Sequence, residues 1–221
     1  MTKNIAYSNC WSIIADFYSL MLGGFMQTLS NSIQVVHCLL KEALTKADLI
    51  VDATAGNGHD TLFLAEHCKP TATIYAFDIQ EEALLNANKL IQSNKDSLNI
   101  PTNKIEFIQD SHSELEKYIE AKIDAVIFNL GYLPGADHDL TTKEDTTLKA
   151  IKICLNKLSV NGFLAIVMYP GHEEGFREYQ AIQNFTELLS KTTFTVGWYK
   201  MINHNIKAPT LCWIEKVGER A

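Results

Sequence analysis

The sequence predicts an α/β fold: a seven-stranded, mostly parallel sheet with an antiparallel last strand and helices on both faces. Three observations point there. Short apolar runs alternate with segments of helical periodicity between residues 31 and 189. The intervening segments are long enough for the crossovers that parallel neighbours need. The last two apolar runs, residues 194–199 and 209–215, have no helix between them and should pair antiparallel at one edge.

Each element can be justified in order. In residues 31–44, Ile33, Val36, Leu39, Leu40 and Leu44 recur at helical spacing, with Ser30 or Asn31 available as cap. Leu49, Ile50 and Val51 read as a short buried strand. Residues 58–67 form the next helix, with Leu62, Phe63 and Ala65 facing inward. A second strand, residues 73–77, ends at Asp78, and residues 81–93 are helical. Residues 105–108 make a third strand and 113–119 a short helix. The fourth strand, 123–128, is apolar apart from Asp124. After a Gly/Pro loop at 131–135, residues 142–158 are helical, 163–168 form the fifth strand, and 173–189 a long helix. Five strand–helix units closed by a hairpin are the layout of the Rossmann-like class I methyltransferase sheet. A dinucleotide-binding domain would usually close with a sixth parallel strand.

The chain has 221 residues, enough for one sizeable α/β domain, here expected over residues 29–221. Residues 1–28 form an N-terminal extension, expected to be loosely attached. Its stretch 11–26 is apolar but interrupted by Asp16, and too short to span a bilayer comfortably. It reads as an attached helix, as a cleaved leader, or as an over-extended start upstream of Met26. Five cysteines lie far apart with no CxxC pair, which predicts free thiols in a reducing, cytoplasmic compartment. No histidine–carboxylate pair near the expected site has metal-ligand spacing, so no metal is expected. A net charge of -7 and a pI near 5.5 exclude a protein that coats nucleic acid non-specifically. An enzyme gripping one folded RNA through a local patch remains compatible, with Lys143, Lys149, Lys152, Arg177, Lys200 and Lys207 as candidates. A homodimer would gather more basic surface, an expectation that rests on analogy alone.

The sharpest local signal runs from Val51 through Asp52, Ala53, Thr54, Ala55, Gly56, Asn57, Gly58, His59 and Asp60 to Thr61. It joins a buried strand to a helix, the end of an open sheet where ligands bind. No Gly-Lys-Ser/Thr follows, and Thr61 occupies the third glycine position of a dinucleotide fingerprint. Asp52 is awkward for a pyrophosphate and suits a ligand with a positively charged amino group. S-adenosylmethionine carries an amino group and a sulfonium and no phosphate. Asp78 fits the ribose hydroxyls or, alternatively, a helix cap. Asp110, Ser111 and His112 fall where an adenine amino group would be read, or cap the helix that follows.

The loop after the fourth strand begins Asn129-Leu130-Gly131-Tyr132-Leu133-Pro134-Gly135. That strand should neighbour the first, which turns the loop toward the donor methyl. An asparagine there can accept a hydrogen bond from a target amine, and Tyr132 can stack on a flat base. The string is similar to the Asn-Pro-Pro-Tyr loop of amino-group methyltransferases, with Leu-Gly replacing Pro-Pro. Asp137, His138 and His172 are the nearest ionisable residues. His172 could accept a proton, orient substrate, or cap the next helix.

Together, these strings resemble a family first described as an rRNA methylase. They are the loop from Asp52 to Ala65, Phe77-Asp78-Ile79-Gln80, Asp110-Ser111-His112, the Asn129 loop, and Tyr169-Pro170-Gly171-His172-Glu173-Glu174-Gly175. The family is associated with N-methylation of 5-aminomethyl-2-thiouridine at wobble position 34 of tRNA. The resemblance runs from about Leu29 to Lys216. It implies S-adenosylmethionine as donor and a tRNA anticodon stem-loop as partner, with no membrane. It also implies that Asn57, Asp60, Asp78, Gln80, Ser111 and His112 contact the donor, and that Asn129 and Tyr132 lie at the transfer end. The family usually reads Gly-Gly-Asp-Lys where this chain has Gly135-Ala136-Asp137-His138. A small-molecule amine methyltransferase is the alternative reading, and a donor-binding partner subunit without catalysis is another.

Overall fold

A computed structural model of the chain describes residues 32–131, 143–205 and 208–219. The expected extension at 1–28, the caps Ser30 and Asn31, and the loop residues Tyr132, Asp137 and His138 lie outside these. The strands are β1 (Leu49–Asp52), β2 (Thr73–Asp78), β3 (Ile105–Gln109), β4 (Ile123–Asn129), β5 (Leu158–Met168), β6 (Phe194–Tyr199) and β7 (Thr210–Lys216). The helices are α1 (Ser32–Leu44), α2 (His59–His67), α3 (Glu81–Ser93), α4 (Glu144–Lys157) and α5 (Glu173–Glu187).

The strands form one sheet in the order β3-β2-β1-β4-β5-β7-β6. All neighbours from β3 to β5 are parallel, and β7 runs antiparallel to both β5 and β6. β7 is thus the strand that opposes the rest, and β6 is left at the edge. Connections run outward in opposite directions from β1 and β4, so their C-terminal ends frame the crevice where open α/β sheets take ligands.

Side chains alternate across the sheet, and two helical layers cover it. Ile50 and Ile127 face α1, α2 and α3, whereas Val51 and Phe128 face α4, α5 and the 3-10 turn His112–Lys117. Helix α1 is held by buried Val36, Leu40 and Leu44, each contributing about 2 kcal/mol by area. Its first residue is tied to the β6–β7 connection by Ser32 Oγ donating to the Pro209 carbonyl at 2.9 Å.

Several local expectations are corrected. Leu39 is 46% exposed, because the buried stripe of α1 follows i, i+4, i+8 rather than its neighbours. In α2 the inward pair is Leu64 and Ala65, while Leu62 and Phe63 are only partly buried. Residues 113–119 fold mainly as a 3-10 turn. β5 starts at Leu158, ahead of the expected Phe163, since Leu158 pairs with Ile123 across a register shift. Asn161 is left-handed there at φ 65, a conformation that asparagine tolerates, so turn-like residues sit inside the strand. No helix among the described residues is long and apolar enough to cross a membrane.

Candidate functional site

β1 delivers Asp52 to the crevice fully buried. Its two oxygens accept from Thr61 Oγ1 at 2.6 Å and from the Thr54 amide at 3.2 Å. Burial, reinforced by the charges of Asp60 and Asp78 and opposed by those two bonds, pushes its pKa up to about 7. The loop then turns through Gly56 and Gly58, left-handed at φ 50 and 87. Gly58 is also needed for packing: a Cβ there would lie 2.7 Å from Ala87 in α3. Asp78, at the end of β2, accepts from the Gly56 and Gln80 amides, both at 2.9 Å. It therefore sets the height of the glycine loop above β2. Asn57 Oδ1 accepts from Asn86 across the same gap at 3.4 Å.

The C-terminal end of β3 carries Asp110, Ser111 and His112. Asp110 accepts from the Ser111 amide at 2.7 Å and from the Tyr118 hydroxyl at 2.9 Å. Ser111 Oγ accepts from the Ser113 amide at 3.2 Å and caps the 3-10 turn. The capping interactions are thus present. His112 is different: it is buried, its ring bonds the Ala53 carbonyl, and its Nε2 has no hydrogen-bond partner among the described residues. Burial, partly offset by the Ala53 bond, lowers its pKa to about 4. The neutral ring therefore offers Nε2 as a buried acceptor, which calls for a ligand N–H.

The reaction end is assembled from four elements. Asn129 closes β4, and its amide N–H donates to Thr54 Oγ1 at 2.7 Å. Its side-chain Nδ2 donates to Asp60 Oδ2, in the first turn of α2, at 3.1 Å. Asp60 Oδ1 accepts from His37 Nε2, on α1, at 2.8 Å. Tyr169, just past β5, stands beside this group. Burial and then the Asp60 charge, against the Asn129 amide, raise its pKa to about 12, so it stays a phenol. His172 is the N-cap of α5, with Nδ1 accepting from the Gly175 amide at 3.1 Å. Helix capping, one of its three expected roles, is present in the structure.

The structure thus brings Asp52, Gly56, Gly58, Asp60, Thr61, Asp78 and Asn129 together at the C-terminal ends of β1, β2 and β4, with Gln80 bonded to Asp78 and buried His112 to Ala53. Tyr132 and Asp137 lie outside the described residues. Sequence reasoning missed His37, because its partner lies in a different element and nothing in an amphipathic helix marks it. It also gave Tyr169 no role beyond its place in the family string, although its position just after a strand end was an available signal. Of the candidate basic residues, Lys149 bonds Glu114 at 2.7 Å and Arg177 pairs with Glu173 at 3.7 Å. Among the described residues no group of three His, Cys, Asp or Glu side chains is arranged to hold a metal ion.

These residues fit the expected donor. Three converging carboxylates suit a cation and repel phosphate, and His112 Nε2 offers an acceptor for an adenine amine. The sheet order, the glycine loop and the strand-end carboxylates define a class I methyltransferase that uses S-adenosylmethionine. Residues 74–215 match the family described as "Putative rRNA methylase", and the chain belongs to that family. A solved structure titled a "putative rRNA-methylase" from Clostridium thermocellum is 34% identical, covers 84% of this chain and 97% of its own, and has a TM-score of 0.79. A "putative methyltransferase" from Streptococcus mutans, solved in complex with SAH, is 38% identical over 84% of this chain and 98% of its own, with a TM-score of 0.73. Among curated proteins, the Arabidopsis thaliana tRNA (mnm(5)s(2)U34)-methyltransferase, chloroplastic, is 29% identical over 200 residues, 87% of this chain and 72% of that protein.

Proposed function

We propose that this enzyme N-methylates the aminomethyl arm of 5-aminomethyl-2-thiouridine at wobble position 34 of tRNA, giving 5-methylaminomethyl-2-thiouridine. One observation carries the reading: Asn129, beside Tyr169, is pinned through Nδ2 to Asp60, which turns its Oδ1 away from that carboxylate as the acceptor for an N–H of an amine. The name of the Arabidopsis relative supports the same substrate. The anticodon stem-loop is the proposed partner, and the cytoplasm the proposed place of action.

S-adenosylmethionine, when bound, supplies an electrophilic methyl on a sulfonium. Asp52, Thr61, Gly56, Asn57, Gly58 and Asp60 form the proposed cradle for its cationic end. Asp78 and Gln80 hold the ribose, and Asp110, Ser111 and His112 the adenine. Asn129 orients the neutral amine so that its lone pair points at the methyl, and catalysis is then mostly positioning. Tyr132 packs on the modified base. His172 or Asp137 takes the proton that the methylated nitrogen sheds.

A second reading, a small-molecule amine methyltransferase, is favoured by the net charge of -7. Incubation with isotopically labelled donor, and either tRNA from cells lacking the protein or small primary amines, separates the two. Label on tRNA supports the proposal. Label on amines with none on tRNA replaces it with the second reading.

A further inference from the structure

Asn129 takes its orientation from beyond the sheet. Turning an asparagine amide over exchanges an acceptor for a donor at nearly the same place. A carboxylate accepts, so Asn129 must meet Asp60 with its NH2, and Oδ1 is turned the other way. Asp60 is buried, and its second oxygen is held by His37 at 2.8 Å. His37 is itself fixed: its ring stacks on Phe63 at 3.7 Å and 3°. Phe63 in turn stacks on His67, whose Nδ1 bonds the Phe63 carbonyl at 2.8 Å. Val36 and Leu40, on either side of His37 along α1, are fully buried.

We propose that His37 is a positioning residue for methyl transfer: by bracing Asp60 it fixes the flip of Asn129 that presents Oδ1 to the incoming amine. The inference rests on the reading above, in which Asn129 holds the amine. Without the His37 bond, a buried Asp60 oxygen loses its partner and the carboxylate is free to turn. Asn129 then samples orientations that offer N–H groups to an amine already rich in them.

Two variants separate positioning from packing. H37F keeps a ring on Phe63 and removes the donor, whereas H37Q keeps a donor near the Nε2 position and removes the ring. The expected result is a kcat lowered about tenfold or more in H37F, with tRNA KM within about twofold, and most of kcat restored in H37Q. In an N129A background, H37F should cost nothing further. A second readout does not depend on turnover. The Asn129 side-chain NH2 signal in a 15N spectrum, assigned by its loss in N129A, should shift in H37F and return in H37Q. An unchanged Asn129 signal in H37F, or full kcat in H37F with impaired H37Q, overturns the inference. Wild-type protein inactive on tRNA refutes the substrate reading instead, and the spectrum still decides on His37, whereas N129A at full rate removes Asn129 from the transfer step and overturns the inference as well.

Discussion

Replacing Asp52 with asparagine removes a titration that the fold itself creates. Burial, with Asp60 and Asp78 nearby, raises this carboxyl from its ordinary 3.8 to about 7. A carboxyl raised in this way binds its proton more tightly folded than unfolded, so stability falls as pH climbs from about 4 through about 7. The full window corresponds to about 4 kcal/mol at about 1.4 kcal/mol per pH unit. About 2 to 3 kcal/mol of it falls between pH 5 and pH 8. The asparagine variant still accepts from the Thr54 amide and can turn its NH2 to Thr61, whose hydroxyl then accepts. Urea unfolding of donor-free wild type and D52N across that range reads the difference directly. Wild type should lose about 2 to 3 kcal/mol more than D52N on going from pH 5 to pH 8. Parallel stability profiles would refute the reasoning, since they would mean that Asp52 titrates normally. The same charge is proposed to hold the cationic donor, so D52N should also weaken donor binding above pH 7.

Three further outcomes are expected. Asp78→Ala should lower donor affinity about ten- to a hundredfold by calorimetry, because it frees the Gly56 and Gln80 amides as well as the proposed ribose contact. Gly58→Ala should destabilise the fold by about 2 kcal/mol or more in urea, because φ is 87 and the new methyl meets Ala87 at 2.7 Å. Asn129→Ala should lower kcat on tRNA about a hundredfold while donor affinity holds, as steady-state kinetics with calorimetry would show.

Strand positions were legible because each apolar run is too short for a helix and several of them end at Gly, Asp or Asn. Residues 81–93 were placed to the residue, with Glu81 and Glu82 in a first turn that favours acids. The start of β5 was hidden, because Ser159-Val160-Asn161-Gly162 has turn composition and only pairing with β4 makes it strand. Leu39 was misplaced because its exposure depends on what α1 lies against, which composition does not encode. In the site, Asp52, Gly56, Gly58 and Asp78 were readable from one strand–loop–helix segment and one strand end. His37 was not, since its role exists only once α1 lies beside the first turn of α2. His172 could be read as base or cap from sequence, and the Gly175 amide at 3.1 Å shows the cap.

Trideuteromethyl S-adenosylmethionine, purified protein and tRNA carrying 5-aminomethyl-2-thiouridine put the central claim to its most direct test. After digestion to nucleosides, mass spectrometry with fragmentation locates the label. The expected result is one trideuteromethyl group on the side-arm nitrogen of the wobble nucleoside, lost in N129A. Label on a ring nitrogen, a ribose or another nucleoside, with none on that side arm, would contradict it.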